Sequence, residues 1–180
     1  PALRGETVDH VTALDAPAGT RVHVVDATPI GINVRSTVAT YSGVMDDLRA
    51  AYARLPEAKA DGLTASDFSY NTGSRKHSLA CPRCEGTGRI SLDVQFLPDI
   101  DIPCPDCGGS RYAPAADRYR RDGVSLPELM SMTVDEALSA VDGLSKVHHR
   151  LAAFAALGLG YLTLGEATPA LSGGEAQRLT

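Results

Sequence analysis

All four cysteines of this chain lie in two Cys-x-x-Cys pairs, and this pattern limits the possible folds more than any other feature. The pairs are Cys81 with Cys84 and Cys104 with Cys107. Glycines follow each pair, so backbone N–H groups can come close to the sulfurs. Zn²⁺ prefers four soft donors in a tetrahedron, and two such turns supply four thiolates. The pattern therefore predicts a structural zinc site without an open position for catalysis.

Two disulfides, free buried thiols or a redox-active pair are the alternative interpretations of these cysteines. The start of the chain, "PALRGETVDHV", lacks Met and lacks the apolar segment of a signal peptide, so we expect a cytoplasmic protein. No stretch approaches about 18 apolar residues, so no membrane span is expected. In a reducing compartment, paired cysteines indicate metal before disulfide.

The segment between the two cysteine pairs predicts a two-stranded antiparallel arm. "CPRCEGTGRI" (81–90) is echoed by "CPDCGGSRYA" (104–113), so the chain contains an internal repeat. Between the copies, apolar residues alternate on both sides of a Leu-Pro-Asp turn, as expected for a hairpin. These alternating residues are Ile90, Leu92, Val94 and Phe96 before the turn, and Ile100 and Ile102 after it.

The remaining sequence predicts one short strand followed by helices. Val22–Val25 is typical of a buried strand that enters a turn at 26–31, and a helical pattern from Val44 stops at Pro56. Residues 57–80 are polar and rich in turn residues, which predicts a linker around "NTGSRKHS". Ser125 and the capping box of Thr133 with Glu136 predict two helix starts. The last long helix begins at Ser145, with Val147, Leu151, Phe154 and Leu157 or Ala155 on one face.

These elements predict an α+β fold: a strand-turn-helix segment, a projecting zinc β-hairpin with four cysteine ligands, and a small helical subdomain. The subdomain ends at the helix of the last motif, "LSGGEAQRLT", here called the signature. The expected boundaries are an α/β segment over 1–75, the zinc-binding hairpin over 76–115, the helical subdomain over 116–165, and the signature motif with the start of its helix over 166–180.

Basic residues concentrate around the cysteines, although the whole chain carries a net charge of −5. From Arg75 to Arg121, eight basic and six acidic residues give the segment a charge of +2. This local excess favours contact with phosphates of nucleic acid, and a solvated mixed surface is the alternative. The candidate DNA-binding residues are Arg75, Lys76, Arg83, Arg89 and Arg111. His148 and His149 are expected to be surface residues, not metal ligands.

The last residues, "LSGGEAQRLT", combine a capping box with two glycines. Ser172 and Glu175 match S-x-x-E, which caps a helix start. The same geometry leaves the N–H groups of Gly173 and Gly174 accessible to an anion. "LSGGEAQR" as a whole resembles the signature motif of ATP-binding-cassette ATPases. None of the three lysines follows a glycine, so the chain contains no G-x-x-x-x-G-K-[ST] P-loop.

Most of the chain resembles the carboxy-terminal half of the UvrA family, the damage-recognition ATPases of bacterial nucleotide excision repair. The matching segments, in order, are 26–62 ("DATPIGINVRSTV…"), "FSYN" (68–71), 81–112, "MTVDEAL" (132–138) and 157–179. The resemblance implies a segment after the second P-loop, ending at the second signature. Ser172, Gly173, Gly174, Glu175 and Gln177 would contact the γ-phosphate of ATP held by another nucleotide-binding unit.

The resemblance also implies a zinc module that senses damaged double-stranded DNA, ATP and Mg²⁺ only in the full-length protein, a homodimer, and a UvrB-type partner bound through other regions. The chain would be part of an ATPase, without catalytic residues and inactive by itself. Two departures are Ala27, where the family usually has Gln, and a longer link between Asn71 and Cys81. Because this link is longer than is usual in the family, a UvrA-like drug-resistance paralogue is an alternative identity for the chain. A DnaJ-type zinc-finger chaperone module and a purely structural zinc domain are further alternatives.

Overall fold

A computed structural model describes Asp9, 12–13, Asp15, Pro17, 33–71, 77–92 and 100–179 of the chain. The predicted strand Val22–Val25, the turn after it and Ala27 lie outside the described residues. So do Val94 and Phe96 of the predicted arm, and the basic residues Arg75 and Lys76.

Three helices open the described part of the chain. They are α1 (Val38–Tyr41), α2 (Val44–Tyr52) and α3 (Pro56–Ala60). Thr37 caps α1, and Gly43 separates α1 from α2 because it takes a left-handed φ of 72°. The helix α2 ends at Tyr52, before the predicted stop at Pro56, and Pro56 instead occupies the first turn of α3, where its missing N–H is not needed.

The predicted arm is present as an antiparallel hairpin of β1 (Arg89–Leu92) and β2 (Ile100–Pro103). Ile90 pairs with Ile102, and Leu92 pairs with Ile100, so the apolar side chains share one face of the hairpin. Arg89, Ser91 and Asp101 belong to the opposite face. A second antiparallel pair, β3 (Arg120–Arg121) with β4 (Val124–Ser125), precedes the last helices.

Four helices complete the described fold: α4 (Leu126–Ser131), α5 (Val134–Ala140), α6 (Ser145–Ala156) and α7 (Gly173–Leu179). The helix starts at Ser125 and Thr133 are confirmed, since both residues form complete capping boxes. Of the two residues proposed to complete the inner face of α6, Leu157 is 48% exposed, whereas Ala155 packs against the core. None of the helices in the described part is long and apolar enough to cross a membrane.

One hydrophobic core joins these helices, and it includes two aromatic residues of the polar segment that precedes the predicted linker. Phe68 and Tyr70 are each 1% exposed, so this part of the polar segment belongs to the core, whereas residues 72–76 of the predicted linker lie outside the described residues. The Phe68 ring meets Tyr119 edge-on at 5.4 Å, and Tyr70 meets Tyr112 edge-on at 5.6 Å. Burial of these aromatic rings stabilises the segment in the core despite its polar neighbours in sequence, because each ring removes a large apolar area from water.

Residues 34–39, here called the bridging segment, lie beside residues 163–170, which lead into α7 and are here called the signature lead-in. The Val38 N–H donates to the carbonyl of Glu166 at 3.0 Å, and the Ala39 N–H donates to Leu164 at 2.9 Å. In return, the Thr168 N–H donates to the carbonyl of Ser36 at 2.9 Å. These ladder bonds fix the lead-in against the start of α1.

Candidate metal centre and signature segment

The two cysteine turns form a pseudo-symmetric pair at the base of the hairpin. The Cys81 N–H donates to the carbonyl of Arg111, and the Cys104 N–H donates to the carbonyl of Gly88, both at 2.9 Å. Each turn thus closes on the end of the other. Gly88 and Arg111 occupy equivalent positions in this arrangement, four residues after the second cysteine of their turns.

The sulfurs of Cys81, Cys84, Cys104 and Cys107 all lie within 4.8 Å of one another. The Cys81–Cys104 separation is 3.9 Å and the Cys84–Cys107 separation is 3.7 Å. Zn–S bonds of about 2.3 Å would place tetrahedral sulfurs about 3.8 Å apart. A disulfide requires about 2.0 Å, so these distances suit a metal and not two disulfides. The four residues therefore fit zinc, which would stabilise the turns rather than catalyse a reaction.

Glycines and hydrogen bonds shape the cluster for thiolates. The Gly88 N–H donates to the Cys84 sulfur at 3.3 Å. Gly86 has a φ of 80°, and a Cβ built there would lie 2.1 Å from the carbonyl oxygen of Tyr70. The glycine lets the first turn pack directly on the backbone of Tyr70, as the sequence pattern predicts for a close approach.

Burial and hydrogen bonds shift the pKa values of three of the thiols in the absence of a cation. Burial raises the pKa of the Cys107 thiol to about 12 and raises the pKa of Cys81. At Cys104 burial acts in the same direction, but hydrogen bonds from the backbone N–H groups of Cys107 and Asp106 outweigh it and hold that pKa below its ordinary value. The site thus carries protons at pH 7, and binding of a metal must release them.

The predicted DNA-binding residues fall into different environments. Arg83 is exposed on the first turn and pairs with Asp106 of the second turn at 3.0 Å. Arg89 is exposed at the start of β1. Both side chains therefore lie on the surface around the cysteine cluster.

Arg111 differs, because its side chain lies inside the fold with only 5% exposure. Its guanidinium donates to the carbonyls of Val34 at 3.2 Å and Gly86 at 3.3 Å, and it lies 5.3 Å from the ring centre of Tyr70. Burial lowers its pKa from the ordinary value. Its φ of 73° is left-handed, a conformation that costs a non-glycine residue about 1–3 kcal/mol. The sequence shows one signal of this role: Arg stands where the first turn has Gly88.

The capping box predicted at the signature is present. The Ser172 N–H donates to Glu175 Oε2 at 2.6 Å, and the Glu175 N–H donates to Ser172 Oγ at 3.3 Å. Ser172, Gly173, Gly174 and Gln177 are exposed. A Cβ at Gly173 or Gly174 would meet no atom within 4 Å, so open space lies beside both glycines.

Two contacts not anticipated from the sequence hold α7 to the turn after α6. The Tyr161 hydroxyl donates to Glu175 Oε1, and this bond lowers the pKa of the Glu175 carboxyl. Arg178 donates to the carbonyl of Leu157 at 3.1 Å. The signature acid is therefore fixed by its own cap and by a tyrosine from another part of the chain.

Comparison with known proteins gives a consistent set of relatives, although no family model matches the chain. UvrABC system protein A of Bacillus subtilis is 40% identical over 155 residues, which is 86% of this chain and 16% of the relative. The Helicobacter pylori protein of the same name is 39% identical over 88% of the chain and 17% of the relative. The Thermus thermophilus protein is 37% identical over 97% and 17%.

Among solved structures, the crystal structure of UvrA2 from Deinococcus radiodurans matches with a TM-score of 0.78 and 38% identity. The match covers 86% of this chain and 18% of that one. The four-cysteine cluster, the signature segment and the fold together define a segment of the UvrA type. The chain belongs to the UvrA family, and it spans about a sixth of the length of the curated relatives it matches.

Proposed function

We propose that this chain is the DNA-sensing and nucleotide-signature segment of a UvrA-type ATPase that acts in nucleotide excision repair. The observation that carries the proposal is the four-sulfur cluster at the base of the hairpin, with sulfur separations of 3.7 and 3.9 Å, beside exposed arginines. Zinc bound by these thiolates would hold the hairpin in place so that its surface can meet DNA.

The DNA surface consists of Arg83 and Arg89, together with Arg75 and Lys76 outside the described residues. Exposed guanidiniums make charge-assisted hydrogen bonds to phosphates without reading sequence, as expected for a protein that responds to the state of the duplex. Arg111 acts within the fold, since two carbonyls already occupy its guanidinium.

The signature supplies half of an ATP site, and a P-loop of another nucleotide-binding unit presents the nucleotide. Gly173 and Gly174 have no positive φ, and a Cβ would fit at both positions. Glycine in a helix costs about 1 kcal/mol relative to alanine, so these glycines serve an external ligand rather than the fold of the chain. The Ser172 hydroxyl and Gln177 complete the predicted contacts with the γ-phosphate.

Mg²⁺ and ATP would therefore bind only where such a P-loop is present, and closure of the site would move the zinc arm on the DNA. A homodimer and a UvrB-type partner belong to the same proposal. The 37–40% identities to UvrA proteins and the 38% identity to UvrA2 are similar, so a UvrA-like paralogue is an equally supported role.

A gel-shift experiment with intact and damaged duplexes across a salt series tests the DNA surface. Each lost phosphate contact should reduce the slope of log K against log salt by about 0.9. Arg83→Gln and Arg89→Gln should both weaken binding, whereas the matched control Arg54→Gln, an exposed arginine just after α2, should not. Equal effects of all three substitutions, or suppression of client aggregation without DNA binding, would contradict the proposal.

A further inference from the structure

A groove of about 870 Å³ separates the zinc hairpin from the signature lead-in. Its hairpin side is formed by the polar face of the arm, including Arg89 and Asp101, and its opposite side is formed by the lead-in from Thr163 to Ala170. Val34 of the bridging segment and Arg111 also line the groove. The two modules therefore face each other across open space, and the bridging segment lies between them.

Contacts from the zinc turns reach the bridging segment through two arginines. Arg111 donates to the carbonyls of Gly86 and Val34, so one guanidinium joins the first turn to the bridging segment. Arg35 of the bridging segment donates to the carbonyl of Glu85 in the same turn. Tyr70 is the third connection, since its hydroxyl is 2.8 Å from that of Thr37 and its backbone packs on Gly86.

From the bridging segment, the chain of contacts continues to the signature. Ser36, Val38 and Ala39 exchange backbone hydrogen bonds with the lead-in at 2.9–3.0 Å. Val34 and Arg35, which contact the first cysteine turn, are thus adjacent in sequence to the residues that bond to the lead-in. Hydrogen bonds and packed backbone thus form a continuous physical connection, the kind of network through which two sites can be coupled.

The identity of Arg111 points to a role beyond closing the turn. In the first zinc turn the equivalent position is Gly88, with a φ of 76°, and glycine adopts this conformation without strain. The second turn has the same conformation, with a φ of 73°, but places a long cationic side chain there. Glycine would avoid this backbone cost at position 111, whereas the buried guanidinium supplies two hydrogen bonds that glycine could not make.

We propose that Arg111 is a positioning residue that couples the zinc module to the signature lead-in through the bridging segment. The coupling rests on the proposed function: it is the route by which closure of the ATP site would affect the contact of the hairpin with DNA. The coupling concerns the chain's own hydrogen bonds and depends on neither DNA nor ATP for its test.

Hydrogen exchange in the 180-residue chain, with zinc bound and after chelation, tests the proposal. The amides of Val38, Ala39 and Thr168 donate the hydrogen bonds that join the bridging segment to the lead-in, and zinc removal should speed their exchange in the native chain. In Arg111→Met this dependence on zinc should be clearly reduced, although Arg35 and Tyr70 keep their contacts with the first turn. A purely structural role would accelerate exchange equally with and without zinc and leave their ratio unchanged.

Arg111→Gly provides a second variant that suits the left-handed backbone, as Gly88 does, and its zinc dependence should also be reduced. The exposed Arg83→Met should retain it. The visible spectrum of the Co²⁺-substituted site checks that each variant keeps four thiolate ligands. The proposal is overturned if the native chain shows no zinc dependence at the three amides, or if both Arg111 variants keep the native ratio.

Discussion

Replacement of Gly86 by alanine tests how closely the first zinc turn depends on the backbone of the core. The added Cβ would lie 2.1 Å from the carbonyl oxygen of Tyr70 and 2.9 Å from its carbonyl carbon. The obstacle is backbone, so no side-chain rotation relieves the contact. Gly108→Ala is the matched control, because Gly108 also has a left-handed φ of 58° but a Cβ there meets no atom within 4 Å.

The structure sets the size of the difference between these two substitutions. Both incur a left-handed backbone cost of about 1–2 kcal/mol, and both recover about 0.4–1 kcal/mol because alanine restricts the unfolded chain. The control should therefore lose about 1 kcal/mol of unfolding free energy. The position equivalent to Gly108 in the first turn is Glu85, which already adopts a left-handed φ of 50°. Gly86→Ala also shifts the Tyr70 backbone, and overpacking of this kind adds about 1–3 kcal/mol.

Urea unfolding of zinc-loaded protein measures the two free energies of unfolding, and a thermal scan provides a second reading. For a chain of this length, about 3 kcal/mol corresponds to a fall of about 6–12 °C in Tm. Zinc content should be the same in the native chain and the control. Equal destabilisation by the two substitutions would refute the reasoning, since it would show that the contact with Tyr70 does not restrict the turn.

Three further outcomes are expected. Burial raises the pKa of the Cys107 thiol to about 12, so its proton must leave when the metal binds. Zinc affinity in a chelator competition should therefore fall, as pH is lowered, by about tenfold per pH unit for each proton displaced. An affinity independent of pH contradicts this. Tyr161→Phe should raise the pKa of Glu175 towards its ordinary value in an NMR titration, and no change would exclude the observed hydrogen bond as its cause. Leu151→Ala should cost about 2–5 kcal/mol in urea unfolding, whereas Leu157→Ala should change stability by less than about 0.5 kcal/mol; equal costs would contradict the observed exposures of 0% and 48%.

Cysteine spacing, hairpin alternation and helix caps were predictable because each depends on residues close together in the chain. Thr133 and Glu136 are three residues apart, and the cap they form needs no distant partner. The antiparallel pairing of Ile90 with Ile102 follows from alternation on both sides of one turn. Sequence periodicity could not decide whether Leu157 or Ala155 belongs to the inner face of α6, because the surface that α6 packs against comes from other parts of the chain.

The burial of aromatic residues in the polar segment before the predicted linker has a related cause. Residues 57–71 are mostly polar, yet Phe68 and Tyr70 are buried by aromatic partners from the segment after the hairpin. Composition measures an average over neighbours in sequence, whereas burial depends on which distant side chains arrive at the same place. The predicted domain boundaries and the contacts of the signature with ATP stay predictions.

By itself, the sequence determined the candidate zinc ligands, the arm, the capped helices and the family resemblance, since these are carried by short motifs whose chemistry is local. Only the tertiary structure decided that Arg111 points into the fold, that Tyr161 holds Glu175, and that the bridging segment lies beside the signature lead-in. The physical reason is distance along the chain: these contacts join residues far apart in sequence, and their partners are chosen by packing and by the need to pair every buried polar group.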